Sequence, residues 1–590
     1  MFTKTTRKIK SAALIALLTA SAFQSKAAVF TAVASGNFNA SSTWGGTAPG
    51  SILTSDVIII PLGIDVTLTD DVTFSSSASL TVLGTLRSSS TGGDLIMTSG
   101  SLAGAGSIMV DSLALGLTSG ISFLGNITAD RMTSTGANVS SAANIYVRKT
   151  LTLSSGTMNM ASGMLRLGAG STIELSGGSL NRSGVGILNL DSTYNVVYRL
   201  GATSTGLELT GDGLDSVTVD VSSTLSLSSN TELDGVLTLQ SGIFALNNNT
   251  LTLSGMGNIS TMGTGTISGS SFSNLIINTS TSINGSLRFT SGNNLLNDFT
   301  INTGSSSSSV GLGTDLNVNG TLRLQSGRIR LGSSSLIINA GGTVMGGSSN
   351  SFVVTDGSGR LTLNLMAGST DTFFVGTMTD FTPIAITANS GSVSSDVSLN
   401  VNGSVMVNGT SGSLLSSTQP MVRNTWFITS SASTGINFNL TAMWNSGLEV
   451  NGFNRSQAYI SHYTSGSWDA TTSSAATSVS GGLYAMTRTG ITSLSPFMVT
   501  DKDAVTTSIK SVSRTANDVV LYPSPAGSTL NIKSAQAAES AKIFNAEGKL
   551  VKAVDNINNN TISVNELPSG IYIIHLNGKK LNSVQKFEKQ

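Results

Sequence analysis

Three nearly identical blocks constrain this chain more than anything else in it: TLTLSSG ending at Gly156, VLTLQSG ending at Gly242 and TLRLQSG ending at Gly327. They lie 86 and 85 residues apart, and a repeat held at that spacing describes a structure made by stacking one unit on itself. Between and around them, strands of four to six residues alternate aliphatic with polar side chains, as in SLTVLGTL, DLIMTSGSL and LRLQSGRIRL, and break at Ser-Gly or Asn turns. An 85-residue interval divides into about four coils of roughly 20 residues, the length that three short strands and their corners need. Each coil then owns an inward set of Leu, Ile and Val that only the next coil can cover. The expected fold class is all-β, with a right-handed parallel β-helix over 28–365. A sandwich explains the spacing less well, and a propeller would carry blade signatures and more aromatics than the 5% present.

Composition supports strands and turns. Charged residues are only 11% of the 590, and Gly numbers 65 against 8 Pro. The formal net charge of zero hides a partition: residues 1–27 hold five bases and no acid, 28–500 hold 15 bases and 23 acids, and 501–590 hold 11 bases and 8 acids. Lys149 is the sole lysine between 28 and 500, so the long middle has no basic patch to neutralise phosphates, and nucleic acid is excluded as a partner. The absence of Cys removes disulfides and thiolate chemistry, and His462 and His575 lie too far apart in the chain to predict a shared metal site.

The first residues read as a secretory signal peptide. MFTKTTRKIK is its basic start, SAALIALLTASAF its short apolar core, and SKA its small-x-small site, which predicts cleavage after Ala27. Shortly beyond, ASGNFNASSTWGGTAPGSILTSDVIIIPLGIDVTL (34–68) resembles the opening of many large surface proteins of Gram-negative bacteria, where a Trp-containing segment leads into parallel β-helix coils. Trp44 is expected to cap the first coil.

After about residue 355 the strands lengthen and turn aromatic: DTFFVGTMTDFTPIAIT, NTWFITSS, INFNLTAMW, AYISHYTSGSWDA and SPFMVTD. Their spacing predicts an antiparallel β-sandwich over 366–501, in which Trp426, Trp444 and Trp468 serve packing before any glycan groove. Candidate chemistry is sparse. The densest acids are Asp70-Asp71 and the group Glu208, Asp212, Asp215 and Asp220. Asp212, Gly213 and Asp215 are the one place for a structural calcium ion, but they lack the closing glutamate of a twelve-residue calcium loop, so surface loop acids are the expectation and no cofactor is assigned. Arg328 and Arg330 share one strand face, where pairing with nearby acids is expected. No catalytic or metal site follows from these residues.

The most specific segment is the last. From Val519 the chain compresses six or seven short strands into about 70 residues, behind an extended lead-in fixed by Pro523 and Pro525 and a linker over 502–518. The order Tyr522-Pro523-x-Pro525-Ala526, then Phe544-Asn545 with Gly548-Lys549, then Leu567-x-x-Gly570-Ile571-Tyr572, and finally Lys586-Phe587, resembles the type A sorting domain of the type IX secretion system. One departure is Ser524, where that family usually has Asn. The resemblance implies a small immunoglobulin-like β-sandwich over 519–590 and partners in the secretion translocon and its sorting machinery. It also implies export through the periplasm to the cell surface or medium, with removal of the tail and either release or attachment to lipopolysaccharide. The cargo is then expected to be a non-enzymatic adhesin or structural surface component. The alternative is a protein that binds or degrades polysaccharide, with extracellular glycans as its partners.

Overall fold

The computed structural model describes residues 27–116, 121–135, 139–355, 357–502, 519–579 and 581–590. The expected signal peptide, 1–27, except for Ala27, and the expected linker, 502–518, except for Lys502, lie outside them. Two compact units are present, 1–505 and 506–590.

Aliphatic ladders make the first unit. Val66, Leu86, Ile108, Ile127, Ile145 and Leu165 stand in register in consecutive coils, each at most 1% exposed. A second column runs Phe74, Met97, Leu115, Ser134, Leu153, Leu175, Tyr198, Val219 and Leu239. A third, further along, runs Leu251, Leu275, Phe299, Leu322 and Val344. Every pairing in these columns is parallel, and together they form a β-solenoid over residues 52–376 of about 14 turns. Coils vary in length, from the 18 residues between Asn126 and Asn144 to the 25 between Leu336 and Leu361. The period-two pattern of the sequence thus becomes a mainly aliphatic core, in which each buried Leu or Ile contributes roughly 1.5–3 kcal/mol.

Corners decide how closely coils approach. At one of them Gly84, Gly106 and Gly125 stack, and the backbone N–H groups of Ser107 and Asn126 donate to the carbonyls of Gly84 and Gly106 in the coil before. A Cβ on Gly125 would fall on the carbonyl of Gly106, so this column needs glycine for space.

At the N-terminal end Trp44 is buried on a single helical turn, Ser41–Trp44. Its ring meets Phe30 and Phe38 edge-on, and its Nε1 donates to the Phe38 carbonyl at 2.7 Å, which satisfies the indole while the ring closes the core. At the other end the solenoid does not stop; one of its sheets changes direction. The strand Leu361–Leu365 pairs in parallel with Leu336–Ile338 on one side and antiparallel with Ser395–Asn402 on the other. The same sheet continues antiparallel through Met421–Ser430, Pro496–Asp501 and Ala458–Thr464. A five-stranded antiparallel sheet, including Ile384–Ala388, Phe438–Asn445 and Leu483–Ile491, belongs to the same region. One apolar cluster runs without a break from Ala32 to Val499.

Candidate functional site

The second unit has its own core, and its seven strands follow the segments visible in the sequence. They are β1 (Val520–Tyr522), β2 (Thr529–Lys533), β3 (Ser540–Asn545), β4 (Leu550–Val554), β5 (Thr561–Ser563), β6 (Gly570–Gly578) and β7 (Leu581–Lys589). All pairings between them are antiparallel: β1-β2-β5 form one sheet and β4-β3-β6-β7 the other. Leu530, Ile543, Val564, Ile574, Leu576 and Phe587, none above 1% exposed, lie in the core.

The motif residues fall into three jobs. The first is to tie the lead-in to the last strand. Tyr522 ends β1 half in solvent, and the Tyr522-Pro523 and Ser524-Pro525 bonds are both cis. Ala526, fully buried, donates its N–H to the Glu588 carbonyl at 2.7 Å and accepts from the Gln590 N–H at 3.0 Å. Ser524, the departure from the family pattern, accepts from the Glu588 N–H at 3.2 Å through its hydroxyl, so it serves the same junction.

The second job is the turn between β3 and β4. The Asn545 side-chain oxygen accepts from the backbone N–H groups of Glu547 at 3.2 Å and Lys549 at 2.9 Å, while Gly548 sits at φ 78°, where a side chain is strained. Asn is needed for the carboxamide and Gly for the angle; Lys549 itself points to solvent.

The third job is the core of the main sheet. Leu567 is buried just before β6. Tyr572 stacks on Phe587 with centroids 5.6 Å apart and donates its hydroxyl to the Pro568 carbonyl at 2.8 Å, which holds the Leu567–Gly570 turn against the sheet. Ile571 and Lys586, by contrast, are exposed.

The family model for the secretion system C-terminal sorting domain matches residues 520–590. The tail is a sorting domain. It indicates a type IX-secreted protein with a β-helix passenger, and implies interaction with the secretion machinery and a location at the surface or outside the cell. Comparisons with curated proteins and with solved structures return no match.

In the passenger ahead of the sorting domain, most of the polar groups singled out from sequence are occupied with the fold. Many corner Asp and Asn side chains cap the next coil: Asp71 accepts from the Asp94 N–H at 3.0 Å, Asp234 from Met256 at 2.8 Å, Asp298 from Thr321 at 2.7 Å and Asp315 from Ser335 at 2.7 Å. Sequence alone could not show this, since donor and acceptor are some 20 residues apart; the signal was Asp or Asn recurring just before a strand. Asp70 accepts from Asn39 at 3.0 Å, and Asp220 from Ser241 at 2.8 Å. Asp212 and Asp215 flank Gly213, and Asp215 accepts from the Ser216 hydroxyl at 3.2 Å. Among the described residues no three His, Asp or Glu side chains gather as a metal site would require.

Arg328 departs from the expected pairing with acids: its guanidinium lies 4.9 Å from the Phe352 ring centroid and donates to the Met378 carbonyl at 2.6 Å. Trp426 and Trp444 are fully buried, and Trp468 is half-buried; their indole N–H groups reach the Thr382 carbonyl, Glu449 and the Met406 carbonyl. Fully buried, Trp426 and Trp444 present no ring face to a ligand. His462 stacks on Phe497 at 4.3 Å, and burial, then Arg488, pushes its pKa down. Beside it Asp469 takes a bidentate ion pair from Arg488 at 2.7 and 2.6 Å; burial opposes its charge, but the Arg488 hydrogen bond and the His462 N–H outweigh that and lower its pKa.

The group that sequence reasoning undervalued is Glu208. It lies on a single 3₁₀ turn, Leu207–Leu209, inserted between two solenoid strands, and is 1% exposed. Tyr198 donates its hydroxyl to Glu208 Oε1 at 2.6 Å, the Gly206 N–H donates to the same oxygen at 2.5 Å, and Tyr194 donates to the Glu208 carbonyl at 2.8 Å. The three form a polar knot inside the coil that leaves Glu208 Oε2 without a hydrogen-bond partner, and burial raises the Glu208 pKa and that of both tyrosines.

Proposed function

We propose that the passenger is a non-enzymatic cell-surface component, an adhesin or a structural rod, directed first through the inner membrane by residues 1–27 and then outward by the sorting domain. The tail is then removed on the outer face, and the passenger is either attached to lipopolysaccharide or released. The observation that carries this reading is the outer surface of the solenoid. Neutral side chains hydrogen-bond from coil to coil, as in Thr157 to Ser179 at 2.9 Å, Asn159 to Ser183 at 2.8 Å, Asn278 to Asn302 at 2.8 Å and Asn319 to Asn339 at 2.7 Å. Such ladders stiffen the stack and present a repetitive neutral polar surface, which suits support or many weak contacts better than a single reaction centre. About 14 turns at ~4.8 Å each give the solenoid a length of roughly 65 Å.

Two measurements test the reading separately. Deleting residues 519–590 is expected to leave the protein in the periplasm; its appearance outside the cell after that deletion would remove the sorting assignment. The secreted protein is expected to release neither reducing sugars nor unsaturated products from a panel of acidic and neutral polysaccharides. Release of either would replace the structural reading with the polysaccharide-degrading one.

A further inference from the structure

The sorting domain has a face that its own fold does not explain. An antiparallel sheet with one side on the core ordinarily turns polar residues outward, yet β6 is apolar on both sides: Tyr572, Ile574 and Leu576 face inward, while Ile571 and Ile573 face outward at 48% and 41% exposure. Register gathers more apolar groups around them. Phe544 on β3 lies opposite Ile573, Leu550 on β4 lies opposite Phe544, and Val584 on β7 lies opposite His575. Leu550 and Val584 are 46% and 52% exposed. A contiguous stripe of this kind is uncommon on a monomer without a partner. The charges flanking it are mainly positive: Lys542 is paired with His575, and Lys586 with Ile573, against Glu588 beside Ile571. The whole tail, 519–590, carries eight lysines and five acids.

We propose that this outer face of β4-β3-β6-β7 is the surface by which the export machinery grips the tail, and that its counterpart is a protein surface with an apolar centre and an acidic rim. The proposal rests on the sorting-domain reading and goes beyond it by naming the face and the chemistry of its partner. Charge selects the occupant. A second copy of the tail would bring one positively flanked face against another, whereas an acidic rim pairs with Lys542 and Lys586 while the aliphatic stripe is covered. Ile571 and Lys586, which the family pattern includes but the core does not use, then have a role as contacts.

The test uses the full chain in a cell carrying a type IX secretion system, with the exported and periplasmic fractions measured by immunoblot. Ile573→Glu with Val584→Glu, and separately Lys542→Glu with Lys586→Glu, are each expected to lower the exported fraction at least tenfold. Both are expected to leave the purified chain as resistant to limited proteolysis as the parent. The charge-reversal pair touches no core residue, so it reports on docking even where the apolar pair weakens the fold. Unchanged export of the charge-reversed, protease-resistant chain, alongside retention of the 519–590 deletion, would overturn the proposal while leaving the sorting assignment standing. Export of the deletion variant would remove the assignment itself. A concentration-dependent dimer of the parent chain in sedimentation, abolished by Ile573→Glu with Val584→Glu, would hand the face to a second copy and also overturn the proposal.

Discussion

Glu208 carries its carboxyl where water does not reach, and its pH behaviour follows from that. Burial pushes its pKa above the ordinary value of 4.5, so between that value and the raised one the folded chain holds a proton that the unfolded chain has released. The stabilising contribution is therefore complete below 4.5 and declines as pH rises through the raised pKa. Glu208→Gln keeps an acceptor for Tyr198 and removes the titration. The gap in urea-unfolding midpoint between parent and variant is expected to change across this window, with the variant losing less stability as pH rises. A gap that stays constant with pH would show that Glu208 does not titrate on unfolding. The Tyr198 hydroxyl accounts for why this acid is tolerated at all: it shares Oε1 with the Gly206 N–H, and an acid left there without donors would cost several kcal/mol.

At the scale of elements, each unit is held by a device of its own. In the solenoid, corner acids act through single backbone hydrogen bonds to the coil that follows. Asp234→Ala and Asp298→Ala are each expected to lower passenger stability by about 1 kcal/mol, and the double variant by about the sum, because the two caps serve different coils. Denaturant midpoints that do not move would mean that water replaces the carboxylates without loss. In the sorting domain, the β6 to β7 pairing puts Tyr572 against Phe587 in the core. Phe587→Ala removes a side chain that is 1% exposed and is expected to cost about 3–5 kcal/mol. For a small unit this is most of the available stability, so tail protease resistance and export should fall together. Export at the parental level with a protease-sensitive tail would show that the machinery reads an unfolded signal.

For the whole molecule, route and cargo are separable in composition. One lysine lies between 28 and 500, and eight lie in the last 72 residues. The passenger presents neutral hydrogen-bonded ladders; the tail presents an apolar stripe with lysines beside it. If the tail alone carries the route, then residues 519–590 fused to an unrelated periplasmic protein with its own signal peptide should take it across the outer membrane. Retention of such a fusion would mean that the solenoid contributes to export.

The sequence by itself determined whatever depends on local period and spacing. Strand alternation and the 85-residue recurrence of the TLTLSSG, VLTLQSG and TLRLQSG blocks required a stacked all-β coil, because only a neighbouring coil can cover each inward row. The order of Tyr-Pro, Asn-Ala-Glu-Gly-Lys, Gly-Ile-Tyr and Lys-Phe resembles the sorting-domain pattern, and Asn545, Gly548 and Tyr572 stand where a turn or the core uses those side chains. Tertiary structure decided whatever depends on partners brought from elsewhere in the chain. Asp298 became a cap on Thr321 only when two coils met, and Arg328 found Phe352 and Met378 rather than an acid. Leu361–Leu365 turned the solenoid sheet antiparallel by accepting Ser395–Asn402 as its neighbour. The outward apolar stripe exists only because β-sheet register set Phe544, Ile573 and Lys586 side by side. Side-chain periodicity is carried by each strand alone, whereas register and burial belong to pairs of strands, and a single sequence does not state which strands will pair.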